Sequence, residues 1–132
     1  MSPLAGRRVI AVVPDLFFAT RIAATAKMSG VELELVPVPR AAARITQAPP
    51  ALVLLDLHAK DALALVAEVK RNTPAVQVVG FLSHVEVSLR RDALAAGADA
   101  AMPRSQFTLK LAALLSRGLE AVNEPTPGGL PS

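Results

Sequence analysis

The chain has 132 residues, of which 52% are hydrophobic and 19% charged. That is enough to bury one core and too apolar for intrinsic disorder. Fourteen Lys and Arg against eleven Asp and Glu give a formal charge of +3, too diffuse to mark a nucleic-acid surface. Cysteine is absent, which removes disulfides, thiolate nucleophiles and sulfur-ligated metals. No apolar stretch reaches the ~18 to 20 residues of a membrane span, and no secretory signal is visible. The expectation is a cytoplasmic protein that makes no membrane contact. Phe17, Phe18, Phe81 and Phe107 are the only aromatics, too few for a base-stacking platform.

Along the chain, short apolar runs alternate with segments of helical period, the rhythm of β-α units around a parallel sheet. Val9 to Val13 is the first expected strand. From Asp15 to Ser29, Phe18, Ile22 and Ala26 recur four apart as a helix face, and Gly30 follows as a C-terminal stop. Val31 to Val36 alternates Glu32 and Glu34 with Leu33 and Leu35, the pattern of a strand at or near a sheet edge, ended by Pro37 and Pro39. Arg40 to Gln47 leaves room for two helical turns. Ala51 to Leu55 is uninterrupted apolar sequence, as in a central strand buried on both faces, and Asp56 ends it. Ala62, Leu65, Val66 and Val69 form the stripe of a helix over about Lys60 to Asn72. Val76 to Leu82 is a fourth strand, Val85 to Ala96 a fourth helix, and Ala98 to Met102 a short fifth strand. A last helix runs from about Ser105 to Ala121, with Leu111, Leu114, Leu115 and Leu119 on one face. Residues 1–121 are thus one domain, and 122–132, rich in Pro and Gly, read as a flexible tail.

In a sheet of this kind, ligands bind outside the carboxyl ends of the strands. Those ends carry Pro14 and Asp15, then Asp56 and His58, then Ser83 and His84, then Arg104. Each has a plain alternative. Asp15 reads as a helix cap or as a metal ligand, and Ser83 as a cap of the fourth helix or as a site hydroxyl. Arg104 reads as a salt-bridge partner of Asp56 or Asp15, or as a contact for phosphate. Asp56 favours a site role, because a carboxylate ending a buried strand is costly without a partner. His58 and His84 lack the spaced carboxylates of a transition-metal motif. Asp99 and Gly97 read as turn residues.

Taken together, Ala51-Leu-Val-Leu-Leu-Asp56, Phe81-Leu-Ser83 and Ala95-Ala-Gly97-Ala-Asp99 resemble the receiver domains of two-component response regulators over about residues 7 to 121. The resemblance implies a flavodoxin-like α/β fold, a five-stranded parallel sheet of order 2-1-3-4-5 with helices on both faces. It implies that Asp56 accepts a phosphoryl group from a histidine kinase, that Asp15 and Asp56 bind Mg²⁺, and that Ser83 contacts the phosphoryl oxygens. Arg104 stands where the family carries Lys, a replacement of a compact ammonium by a planar fork. Further departures are Pro14 in place of an acid, His84 where a small residue admits the phosphoryl group, Ala101 in place of the aromatic switch, and Leu57-His-Ala-Lys-Asp61 in place of a loop with Pro and Gly. These point to an atypical receiver with weakened Mg²⁺ binding, modulated by Pro14, His58 and His84.

The expected function is that of a stand-alone, non-enzymatic signalling module. It would act by contact with a histidine kinase or another signalling protein, or as a homodimer, through the face from the fourth to the fifth helix. Arg90, Arg91, Lys110 and Arg117 are expected on or near that face. The alternative is a small α/β enzyme or nucleotide-binding domain using the same sheet edge. Against it, no G-x-G-x-x-G, Walker or G-x-S-x-G segment follows any strand.

Overall fold

A computed structural model of the chain describes residues 7–83 and 86–122. His84 and the tail from Asn123 onward, both singled out in the sequence, lie outside the described residues. Five strands, β1 (Arg8–Val12), β2 (Glu32–Leu35), β3 (Leu52–Asp56), β4 (Gln77–Leu82) and β5 (Ala100–Pro103), form one parallel sheet of order β2-β1-β3-β4-β5. Between and after them run α1 (Leu16–Met28), α2 (Val38–Gln47), α3 (Ala62–Asn72), α4 (Val87–Ala96) and α5 (Arg104–Arg117). A single 3-10 turn over Gly118–Ala121 follows.

The period-two alternation of the strands divides the core in two. Val9, Ala11, Leu52, Leu54, Val79 and Phe81 face α1 and α5, burying Phe18, Ile22, Phe107 and Leu111. Ile10, Val12, Val53, Leu55 and Val78 face the other way, against Ile45 of α2, Val66 of α3 and Ala93 of α4. Because β3 is central, both of its faces are covered, and Leu52 to Leu55 are no more than 1% exposed. That double burial is why its sequence is a continuous apolar run. β2, at the edge, keeps its glutamates. Glu34 accepts hydrogen bonds from Arg8 at 2.8 Å and from Arg44 at 2.6 and 3.0 Å, which ties the edge strand to β1 and α2.

Three local expectations need correction. Pro39 does not merely end the second strand: it lies in the first turn of α2, where a missing N–H breaks no helical bond. The last helix stops at Arg117 instead of running to Ala121. Gly118 turns out of it at φ +61°, and Leu119 N–H donates to the Gln77 side chain at 2.9 Å. That positive φ favours glycine, and a Cβ there would also displace the Gln77 oxygen from its bond to Leu119. Third, Lys110 is not a surface cation. It is 3% exposed, with Nζ donating to the carbonyls of Ala121 and Val122, and so anchors the chain after α5.

Asp99 also does more than turn the chain. Its carboxylate accepts from Val78 N–H at 2.8 Å and from Lys70 Nζ at 3.0 Å, while Lys70 also reaches the carbonyls of Pro74 and Val76. This knot joins the end of α3 to the entry of β4 and β5.

Candidate functional site

All five strands run the same way, so every strand-end residue arrives at one edge of the sheet. Asp15 follows β1, Asp56 ends β3, Ser83 follows β4, and Arg104 begins α5 directly after β5. Asp56, His58, Phe81, Ser83 and Arg104 line a small cavity of about 140 Å³. Asp15 stands beside it and is joined to it through Arg104.

Asp15 is the N-cap of α1. Its Oδ1 accepts from Phe17 N–H at 3.0 Å and Phe18 N–H at 3.3 Å, the bonding expected of an acidic cap. Its Oδ2 accepts from Arg104 Nη2 at 3.1 Å. The Arg104 hydrogen bond, followed by that of Phe18, holds the Asp15 carboxyl below the usual carboxylate range. The Arg104 guanidinium carbon also lies 3.9 Å from the centre of the Phe18 ring, a cation-π contact. Phe18 in turn meets Phe81 edge-on at 5.1 Å, and Phe81 and Phe107 lie 4.6 Å apart. Arg104 is thus held from the side by a carboxylate and from below by an aromatic cluster.

Of the two salt-bridge partners left open by the sequence, Arg104 takes Asp15. Asp56 is half-buried, and its Oδ1 accepts from His58 N–H at 2.9 Å. Ser83 does not cap the fourth helix, whose N-cap is Glu86. Its hydroxyl lies 3.1 Å from His58 Nε2, donating or accepting according to the imidazole tautomer. This hydroxyl-imidazole pair was invisible in the sequence, since His58 and Ser83 are 25 positions apart and belong to no shared motif. The loop between them and α3 closes without glycine because Asp61 adopts the left-handed conformation at φ +64°, which Asp tolerates better than most residues.

A divalent cation at this edge would need carboxylate oxygens with free lone pairs. Oδ1 of Asp15 is used by the cap, Oδ2 by Arg104, and Pro14 supplies no second acid. No group of three His, Asp or Glu side chains suited to a metal occurs among the described residues. In this arrangement Asp15, with both oxygens engaged and the Arg104 guanidinium on one of them, does not fit as a Mg²⁺ ligand.

A larger hollow of about 620 Å³ lies at the same edge on the β2 side, between Val13 and Pro14 of the first loop, Pro37 to Pro39 and Lys60. Its walls are mainly apolar, and none of the strand-end polar residues except Lys60 and Asp61 reaches it.

The sequence matches no protein-family model and no curated protein. Solved structures do match. An orphan response regulator of H. pylori superposes with a TM-score of 0.73 at 17% identity, covering 86% of this chain and 93% of that one. The chain has the receiver-domain fold. A CheY-like response regulator receiver domain protein of Methanospirillum hungatei gives 0.69 at 20% identity over 74% and 81% of the two chains. A response regulator of Burkholderia pseudomallei, solved with a phosphorylated aspartic acid, a calcium ion and citrate, gives 0.67 at 16% over 74% and 59%. At these identities the likeness is one of fold, and the side chains at the strand ends have to be judged on their own geometry. No helix among the described residues is long and apolar enough to cross a membrane.

Proposed function

We propose that this chain is a receiver module of a two-component system that signals by protein-protein contact. Asp56 is its phospho-acceptor position, and phosphoryl transfer to it is slow or absent. The fold and the neighbours support the signalling class. The observation that carries the rest is the Arg104-Asp15 pair stacked on Phe18 at the mouth of the Asp56 cavity.

In phosphoryl transfer, a carboxylate oxygen of Asp56 would form a bond to phosphorus as the donor's P–O bond breaks and the leaving group departs with its electron pair. The carboxylate and the donor are both anionic, so the step needs positive charge aimed at the transferring oxygens. Here the one guanidinium lining the cavity is engaged by Asp15, and the Ser83 hydroxyl is engaged by His58. Losing one preorganised contact of this kind costs ~10² to 10³ in rate. A module so arranged transmits through its surface. The α4-β5-α5 face is the proposed contact for a kinase, another signalling protein or a second copy. In support, Arg90 and Arg91 of α4 are exposed, and Arg90 Nε reaches β5, donating to the carbonyl of Ala101 at 2.9 Å.

The test is incubation with Mg²⁺ and acetyl phosphate, read by intact mass for the gain of about 80 Da of one phosphoryl group. Wild type is expected to show little gain, and Arg104→Lys and His84→Ala more. Rapid, stoichiometric modification of wild type at Asp56 refutes the slow-transfer reading. Replacement of Arg90 and Arg91 by Glu that leaves partner or self-association unchanged refutes the proposed face.

A further inference from the structure

Asp15 is the acidic residue nearest to Arg104 at this edge, and its two oxygens have separate fates. Oδ1 is consumed by the backbone of α1, a bond that persists as long as the helix keeps its cap. Oδ2 is the other oxygen, and Arg104 takes it. The guanidinium has little reason to leave. Its face rests on Phe18, and Phe18 cannot retreat because Phe81 and Phe107 close in behind it, all three rings being buried. Arg104 itself is the first residue of α5, so its backbone is fixed by a helix whose next turn is anchored by the fully buried Phe107.

We propose that Arg104 is the resident cation of this pocket: it occupies the Asp15 oxygen that a divalent ion would need, and so keeps such ions out. The inference deepens the receiver reading, which supplies only the identity of the excluded ion. The exclusion itself follows from two cations competing for one oxygen, Asp15 Oδ2, at contact distance. A guanidinium and a divalent ion cannot both sit on Oδ2, and each also repels the other. Arginine suits this role better than lysine. It stays charged at every accessible pH, is weakly hydrated, and has a flat face that an aromatic ring can support while its edge donates. Lysine at this position has a compact, strongly hydrated head and no such face.

The test uses Mn²⁺ as a paramagnetic probe on the full chain, followed by line broadening of backbone amides. Wild type is expected to show no broadening localised around Asp15 and Asp56 at concentrations that broaden those amides in Arg104→Ala and Arg104→Gln. Removing the guanidinium should tighten binding by roughly tenfold or more, as expected when a charge-assisted contact is lost and a like charge removed. The double variant Asp15→Asn, Arg104→Ala should lose the gain. Arg104→Gln serves if the alanine variant is too unstable, since glutamine keeps much of the side-chain length. Localised binding in wild type with the same affinity as in the variants overturns the proposal. So does an absence of binding in both variants while their amide spectra remain folded, because Arg104 would then not be what excludes the ion. Neither result depends on phosphorylation, so the metal outcome and the signalling outcome are separable.

Discussion

Gly80 lies in the middle of β4, directly beneath Leu57, the residue that follows Asp56. A Cβ added at Gly80 would meet Leu57 Cδ2 and Cγ at 2.7 Å and Cδ1 at 2.9 Å. Carbon pairs rest at ~3.5 to 4.0 Å, so Leu57 would have to retreat by about 1 Å. It has little freedom to do so, being 3% exposed and pinned by its N–H to the carbonyl of Phe81 at 2.9 Å. Overpacking of this kind costs ~1 to 3 kcal/mol. With a urea slope of ~1 to 3 kcal/mol/M, Gly80→Ala should lower the unfolding midpoint by roughly 1 M. Leu57→Ala alone should cost ~2 to 5 kcal/mol through lost burial and a cavity. The double variant should be better than the sum by ~1 kcal/mol or more, because the new methyl fills part of the space that the leucine leaves. Since the chain has no Trp or Tyr, far-ultraviolet circular dichroism is the suitable probe. Amide shifts should also move at His58, one residue further along the loop. A Gly80→Ala cost within ~0.5 kcal/mol of zero, or strict additivity in the cycle, would refute the idea that core packing positions the Asp56 loop.

Stability in acid should depend on Asp15 and Glu34. Arg104 lowers the pKa of the first, and Arg44, with Arg8, that of the second, so their stabilisation is complete above the ordinary carboxylate range and is lost as pH falls through their depressed pKa values. Asp15→Asn and Glu34→Gln should therefore each flatten the acid limb of a stability-pH curve, and limbs parallel to wild type would contradict this. At Asp61, held at φ +64°, glycine should leave stability unchanged or raise it by up to about 1 kcal/mol, whereas Asp61→Val should lower it by ~1 to 2 kcal/mol. Chemical denaturation of the two variants checks the sign, and a glycine variant less stable than the valine variant would exclude backbone strain as the cause.

The fold was legible because the signals that specify it are local or periodic. Leu52 to Leu55 announces a strand buried on both faces, the alternation in β2 announces an edge, and the spacing of Phe18, Ile22 and Ala26 announces the inner face of α1. Parallel strands then force Asp15, Asp56, Ser83 and Arg104 to one edge, so their meeting could be anticipated without coordinates. What could not be read were decisions made by distant side chains. α5 ends because Gln77, 42 positions away from Leu119, caps the turn after Gly118. Lys110 looks like any helical surface lysine until the chain beyond α5 folds back over it and offers its carbonyls. Arg104 had two acids within plausible reach, and the ring of Phe18, supported from behind, settled the choice for Asp15.

The aromatic cluster beneath Arg104 has a further consequence. Phe18 comes from α1, Phe81 from β4 and Phe107 from α5, so three segments far apart in the chain each lend one ring to a single cluster. These are three of the four aromatic side chains in the protein. Their ring currents act on one another, and the Arg104 guanidinium lies over the outermost ring, that of Phe18. Any departure of the guanidinium, or any slippage of α1 against α5, must change the magnetic shielding of the same few protons. The protein thus carries its own internal gauge of the state of its pocket, built from three of its four phenylalanines.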